Sequence, residues 1–316
     1  MDRIIDLRSD TVTMPTDEMR KAIFNAKLGD DVFREDPTVN ELEEKAANIL
    51  GKEAGLLVPS GTMGNLVSIL THCQRGTEIL LGNKSHTFYY ETGGISAFGG
   101  IHSHQLKNQV DGTIKIEDIH TAIRMNNVHF PKTSAITLEN THNLCNGSPL
   151  LPEYIQEVSQ IAHNNNMKLH IDGARIFNAS VAQDLDVAKL VIDADSVTFC
   201  LSKGLSAPVG SIVCGSKEFI YEARRIRKAL GGGMRQAGII AAAGIFSLDN
   251  MLDQIRKDHE NAQRSPRERI GSRGQYPPGA LEQRGPEFTG VPDLRQAGIP
   301  EPGRQREGPP GDSDHQ

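Results

Sequence analysis

The chain has 316 residues, enough for one large domain or for a large domain with a smaller companion. Its 34 lysines and arginines against 40 aspartates and glutamates leave a formal charge of −6, and tryptophan is absent; this excludes the basic stripe and stacking platforms of a nucleic-acid binder. The four cysteines, Cys73, Cys145, Cys200 and Cys214, form no C-x-x-C pair and suit a reducing compartment. Charges at Asp2, Arg3 and Asp6 stand where a secretory signal needs an apolar run, and the longest apolar stretch, 238–246, is too short to span a bilayer. A soluble, cytoplasmic protein is expected, with neither nucleic acid nor membrane as partner.

Pro37 precedes Thr38-Val39-Asn40-Glu41, a T-x-x-E capping box, after which Leu42, Ala46 and Ile49 recur at helical spacing until Gly51. Past Pro59, Met63, Leu66, Val67 and Leu70 follow the i, i+3, i+4, i+7 pattern of an amphipathic helix. Tyr154, Ile155, Val158, Ile161 and Ala162 repeat it, and Asn164-Asn165-Asn166 ends that helix. Residues 168–172 alternate, with Leu169 and Ile171 on one face; residues 196–201 alternate again, and 211–214 read as a further short strand. Strands separated by helices of this length predict an α/β fold with a mainly parallel sheet covered on both faces. From Arg264 onward the composition changes. Residues 264–316 hold nine glycines and nine prolines, with eight arginines balancing eight acidic residues and no apolar periodicity. Such a segment buries too little surface to offset its ordering entropy and is expected to be a disordered tail.

Three places could carry chemistry. In Pro59-Ser60-Gly61-Thr62-Met63-Gly64-Asn65 a glycine turn opens a helix. The free N–H groups, the positive dipole end and the hydroxyls of Ser60 and Thr62 make a phosphate cup, although a plain Ser cap explains the turn equally well. In His170-Ile171-Asp172-Gly173-Ala174-Arg175 the carboxylate of Asp172 falls at a strand end, where the ligand crevice of open parallel sheets lies. There it could keep a pyridine nitrogen protonated, or merely cap the next helix. Lys203 follows the 196–201 strand among small and apolar residues, at the same crevice; a desolvated amine there can form a Schiff base. Each signal is weak alone. Cup, then strand-end Asp, then Lys about thirty residues on is the layout of fold-type-I pyridoxal-phosphate (PLP) enzymes.

Longer strings carry a closer resemblance. Asp6-Leu7-Arg8-Ser9-Asp10-Thr11-Val12-Thr13, Gly29-Asp30-Asp31-Val32, Asp36-Pro37-Thr38-Val39-Asn40, Ser60-Gly61-Thr62-Met63-Gly64-Asn65 and Leu138-Glu139-Asn140-Thr141-His142-Asn143 resemble the low-specificity L-threonine aldolases. So do His170-Ile171-Asp172-Gly173-Ala174-Arg175 and Gly231-Gly232-Gly233-Met234-Arg235-Gln236-Ala237-Gly238. The similarity runs from about residue 2 to about residue 263. It implies a PLP-binding large domain over 1–263, a mostly parallel seven-stranded sheet between helices, and a homodimer or homotetramer with sites at subunit interfaces. It also implies cleavage of threonine or allo-threonine to glycine and acetaldehyde, a step of threonine catabolism and glycine biosynthesis.

By this resemblance Lys203 holds pyridoxal 5'-phosphate, Asp172 pairs with the pyridine nitrogen, and Ser60, Gly61 and Thr62 bind the phosphate. His86 stacks on the ring, Arg175 lies near the 3-hydroxyl, and Arg235 reaches the phosphate or the substrate. Ser9 approaches the substrate carboxylate and His129 its side chain. No metal is implied. His86, His129 or a bound water could take the β-hydroxyl proton.

Two departures stand out. Phe33-Arg34 replaces the family's Tyr-Gly, removing a phenol and adding a charge. Where relatives continue into a small α/β domain that carries a carboxylate-binding arginine, this chain has the 264–316 segment, as an alternative exon or shifted frame would produce. Loss of that domain would leave apolar surface exposed on a long helix around 239–255. The competing readings are a truncated isoform or pseudo-enzyme that binds PLP or full-length subunits, and a PLP-dependent β-eliminating lyase.

Overall fold

A computed structural model of the chain describes residues 6 and 8–263. The tail expected over 264–316 lies outside the described residues. In chain order the elements are α1 (Asp17–Phe24), α2 (Pro37–Ile49), β1 (Ala54–Val58), α3 (Gly61–His72), β2 (Glu78–Gly82), α4 (His86–Tyr89), α5 (Gly94–Ala97) and β3 (His102–Leu106). Then come α6 (Ile116–Ala122), β4 (Thr133–Glu139), α7 (Pro152–Asn164), β5 (Lys168–Asp172), α8 (Ile176–Gln183), β6 (Ser196–Cys200), β7 (Ser211–Gly215), α9 (Lys217–Ala229), α10 (Gly238–Asn250) and α11 (Leu252–Gln263).

The seven strands form one sheet in the order β1-β7-β6-β5-β4-β2-β3. The five from β6 to β3 are parallel, and β7 runs antiparallel to both β6 and β1. The mostly parallel α/β sheet expected from the strand pattern is therefore present. Because β1 points the same way as β4, β5 and β6, the turn from β1 into α3 lies at the edge where those three strands end. That edge is where an open parallel sheet offers its crevice.

The two faces of the sheet are covered differently. Leu80, Ile136, Leu138, Leu169, Ile171 and Val197 join the main core with residues of α2, α7, α8 and α10. The opposite face has two smaller apolar clusters, one around Ile69, Ile79 and Leu81, the other around Val67, Val213 and Phe219. Under α3 the strands β5 and β6 present His170, Asp172, Ser196 and Thr198, all at most 3% exposed. The alternation legible in residues 168–172 and 196–201 thus has a polar side, but that side is buried under a helix instead of facing water.

Two helix expectations are corrected. The start of α2 is capped by Asp36, whose carboxylate accepts from the N–H groups of Thr38 and Val39 at 3.1 Å each. Pro37 occupies the first turn, where no N–H is needed, and the Thr38 hydroxyl instead donates to the Lys27 carbonyl at 2.7 Å. The helix expected around 239–255 breaks at Met251 into α10 and α11. Its apolar surface is also less exposed than expected. α10 packs on α1 and α2, burying Ala241, Ala243 and Leu248, and Ile239 stays 46% exposed.

Candidate active site

The turn from β1 into α3 sits directly on the end of β6. A Cβ on Gly61 would fall 2.8 Å from Sγ of Cys200, and one on Gly64 would fall 2.5 Å from Cγ2 of Thr198. Only glycine lets the helix start lie this close to the strand. Ser60 is the N-cap, its Oγ accepting from the Met63 N–H at 3.2 Å. The N–H groups of Gly61 and Thr62 have no partner within the helix, as at any helix start, and Ser60 and Thr62 are exposed. The cup residues and the strand leading to Lys203 are therefore brought together. Lys203 stands three residues past the end of β6, half-buried, in a bend closed by the Ser206 N–H on its carbonyl at 2.8 Å.

Next to this edge lies a cluster of carboxylates. β4 and β5 are paired so that Glu139 is opposite Asp172. Asp172 is 3% exposed; its Oδ1 accepts from the Ala174 N–H at 3.1 Å and its Oδ2 from Nδ2 of Asn65 at 2.8 Å. The other Nδ2 hydrogen of Asn65 goes to Glu91, also at 2.8 Å. Glu91 accepts in turn from Nδ1 of His86 at 2.8 Å. The Glu91 bond, aided by Asp172, raises the His86 imidazole above its ordinary range. In the neutral ring, with Nδ1–H committed to Glu91, Nε2 is the free acceptor. Glu139 accepts from the backbone N–H of His86 at 2.7 Å and of Asn143 at 2.8 Å. Burial, reinforced by the charge of Asp172, pushes its carboxyl up to about 7. Burial raises Glu91 likewise. His86, Glu91 and Asp172 have ligand atoms within 4.8 Å of one another, but they are already joined through their own hydrogen bonds.

Arg175, the residue just before α8, completes the edge. Its Nε and one terminal nitrogen grip both oxygens of Asp10 at 2.8 and 2.7 Å, and the other terminal nitrogen donates to Asn143 at 3.1 Å. Burial alone would raise Asp10, yet Arg175, with help from Lys203, holds it below the usual carboxylate range. The residues ahead of α1 are thus clamped against the site.

The remaining predicted residues are placed differently. Arg235 pairs with Asp30 at 3.0 Å and is more than half exposed, beside a glycine segment that packs on Met63 in the first turn of α3. Ser9 is exposed, its hydroxyl accepting from the Thr11 N–H. His129 belongs to the loop between α6 and β4, at the amino end of β4, whereas Glu139 marks the carboxyl end. At about 3.3 Å per residue the seven-residue strand separates them by roughly 20 Å. Within one chain His129 is not brought to this edge, because a strand end cannot serve both edges of its sheet. Arg34, which looked like an added charge near the site, adopts a left-handed backbone with φ 64° and turns its guanidinium onto Glu43 at 2.9 Å.

Sequence reading missed Asn65, Glu91, Glu139 and Asp10. Asn65, Glu139 and Asp10 stand inside the long motif strings, but no spacing rule marks them. Glu91 lies five residues past His86, beyond the short α4, and only the fold shows that they meet.

The match to known proteins agrees with this geometry. The family described as beta-eliminating lyase matches residues 6–276. A probable low-specificity L-threonine aldolase of Arabidopsis thaliana is 52% identical over 263 residues, covering 82% of this chain and 74% of that protein. The low specificity L-threonine aldolase of Escherichia coli K12 is 45% identical over 259 residues, covering 82% of this chain and 77% of that protein. The fold is shared with a solved threonine aldolase of Leishmania major at a TM-score of 0.69 and 17% identity, over 80% of this chain and 75% of that one. The chain belongs to the beta-eliminating lyase family, in its low-specificity L-threonine aldolase branch.

Proposed function

We propose that the chain cleaves the Cα–Cβ bond of threonine or allo-threonine to give glycine and acetaldehyde, with pyridoxal 5'-phosphate attached to Lys203. The observation that carries this reading is the meeting, at one sheet edge, of the Ser60–Gly61–Thr62 turn, Asp172 and Lys203. The donor set suits that cofactor. The helix start offers free N–H groups to a phosphate. A buried carboxylate crowded by Glu91 and Glu139 calls for a cation, which a protonated pyridine nitrogen supplies. When bound, the protonated ring takes up negative charge from the substrate's α-carbon.

The protein's own groups do the rest. Asp172 holds the ring nitrogen's proton. His86, with Nδ1–H fixed on Glu91, presents Nε2 to the substrate hydroxyl and can take its proton as the carbon–carbon bond opens. Arg175 steadies the wall beside Lys203 through Asp10 and Asn143, and Arg235 borders the phosphate turn. Ser9 is the candidate contact for the substrate carboxylate. In the homodimer or homotetramer that the family resemblance implies, His129 would reach a site from a second copy of the chain. The four cysteines are free and buried, and no helix among the described residues is long and apolar enough to cross a membrane. The free thiols suit a reducing compartment such as the cytoplasm, and the reaction would serve threonine catabolism and glycine formation.

The test is purification with pyridoxal phosphate, a visible spectrum, and assays for acetaldehyde from L-threonine and pyruvate from L-serine, each repeated with Lys203→Ala. The expected result is a bound-cofactor absorbance and acetaldehyde from the unmutated chain, with both lost in the variant. Equal spectra would sink the Lys203 assignment. Pyruvate without acetaldehyde would mark a β-eliminating enzyme, and absorbance without either product a cofactor-binding subunit that does not turn over.

A further inference from the structure

A file of buried polar side chains runs from Asp172 to the far side of α3. Nε2 of His170 lies 3.2 Å from Oδ1 of Asn65, Nδ1 of His170 lies 2.8 Å from Oγ of Ser196, and that Oγ lies 2.7 Å from Nε2 of His72. Asn65 and His72 are seven residues apart on α3, two helical turns on one face. His170 and Asp172 are two apart on β5, hence also on one face, and Ser196 is opposite His170 on β6. Asn65, His170 and Ser196 are at most 1% exposed. Apolar residues of similar size would fill this layer at lower cost, since every buried polar group must find a partner.

The donor and acceptor roles follow by elimination. Asn65 faces two carboxylates, Asp172 and Glu91, so its amide nitrogen points at them and its oxygen at His170. Nε2 of His170 must then carry the hydrogen. Burial pushes the His170 imidazole down to about 3, so the ring is neutral and its Nδ1 accepts from Ser196. Ser196 has one hydrogen, spent on His170, so it accepts from Nε2–H of His72. Every donor points the same way, toward the Asn65 amide, whose two hydrogens serve Asp172 and Glu91, and bonds in such a file polarise one another. The far end opens on a cavity of about 590 Å³ at the other edge of the sheet, lined by His72, Lys168, Asp195 and Phe219 among others. There His72 stacks on Phe219 with ring centres 4.6 Å apart.

We propose that His72, Ser196, His170 and Asn65 are positioning residues for Asp172: a one-way file of hydrogen-bond donors that turns the amide nitrogen of Asn65 onto Asp172 and so fixes that carboxylate at the strand end where it faces the cofactor's pyridine nitrogen. The proposal rests on the function proposed above in so far as Asp172 meets that nitrogen. The charge of Asp172 acts on Glu91, Glu139, His86, His142 and Cys200 around it. His72 is the member of the file that borders the cavity, and so the one through which solvent reaches it.

The test has two arms. In the cofactor-free full chain, labelled with nitrogen-15 at histidine, His72 and His170 should both be neutral Nε2–H tautomers at pH 7. An Nδ1–H tautomer or a protonated ring at either residue overturns the proposal. In the cofactor-loaded chain, cofactor affinity and the pH midpoint of its visible absorbance are compared in three variants. Ser196→Ala breaks the file, His72→Phe removes the donor but keeps a ring against Phe219, and His72→Gln keeps a donor but loses the stack. Losing one such bond should weaken cofactor affinity about 3-fold or more and move the midpoint in the first two variants. His72→Gln should stay closer to the unmutated chain. If His72→Phe leaves both readouts unchanged, or His72→Gln is the worse of the pair, the file is only packing and the proposal fails. A chain with the expected tautomers that binds no pyridoxal phosphate refutes the proposed function instead, and the role given to Asp172 falls with it.

Discussion

Single buried side chains give this fold its response to pH. Burial pushes the imidazoles of His142 and His170 down to about 4 and about 3, from 6.5 in the unfolded chain. Below about pH 6.5 the unfolded chain binds protons that the folded chain refuses, so their stabilisation is present above that pH and is lost as pH falls toward 4. Glu139 has the opposite sign. Its carboxyl is pushed up to about 7 from 4.5, so the unfolded chain gains by ionising as pH rises through that window. For His142 the difference is worth roughly 3 kcal/mol at full expression. We expect His142→Gln to flatten the loss of stability between pH 6.5 and 4, and Glu139→Gln to steepen the rise of stability from pH 4.5 to 7. Urea unfolding across that range checks both; parallel curves for variant and unmutated chain would show that these residues are not the source. Asp172, Lys203 and the Ser60–Gly61–Thr62 turn were legible from the sequence because each stands where a strand or helix ends. Glu139 was not, since its neighbour Asp172 is brought alongside only by the pairing of β4 with β5.

Among the elements, Asp36 shows how one side chain can join several. Besides capping α2, its Oδ2 accepts from the Gly29 N–H at 3.2 Å and from the Gly238 N–H, at the start of α10, at 2.9 Å. Asp36 is fully buried. A simple cap is worth about 1 kcal/mol. Asp36→Ala strands four N–H groups, so the loss should exceed about 2 kcal/mol. A thermal melt measures it, and a loss no larger than an ordinary cap would mean that water replaces the carboxylate. The sequence reading placed this cap two residues late because T-x-x-E is a local pattern, whereas Asp36 is chosen by partners on α10 and in the loop before α2. The same limit explains α10 and α11. Apolar periodicity does not show where a chain must bend to keep packing on α1 and α2. The alternation in β5 and β6 was read correctly as strand, yet its polar side could not be known to lie under α3, because the covering helix is about a hundred residues away in sequence.

At the scale of the whole molecule, the placement of His129 makes a prediction about assembly. If His129 acts in the site, it acts in a neighbouring copy, as closed oligomers with shared sites allow. Mixing Lys203→Ala chains with His129→Ala chains and allowing subunits to exchange should then restore activity, to about a quarter of the unmutated level for a randomly paired dimer. Each variant alone stays inactive or weak. No recovery in mixtures shown to contain both chains would place His129 outside the chemistry. The strand pattern gave the architecture from local sequence, but which copy fills which gap is a property of surfaces, and surfaces leave little periodic trace.

The grip of Arg175 on Asp10 has one more consequence. Asp10 lies ahead of α1 and of all seven strands, and the methionines that follow it are Met14 and Met19. A chain begun at Met14 would keep all seven strands, Lys203 and Asp172, yet leave Arg175 without its Asp10 partner. The described residues ahead of α1 belong to no strand, so what such a chain would lose is the clasp on Arg175 and not the sheet.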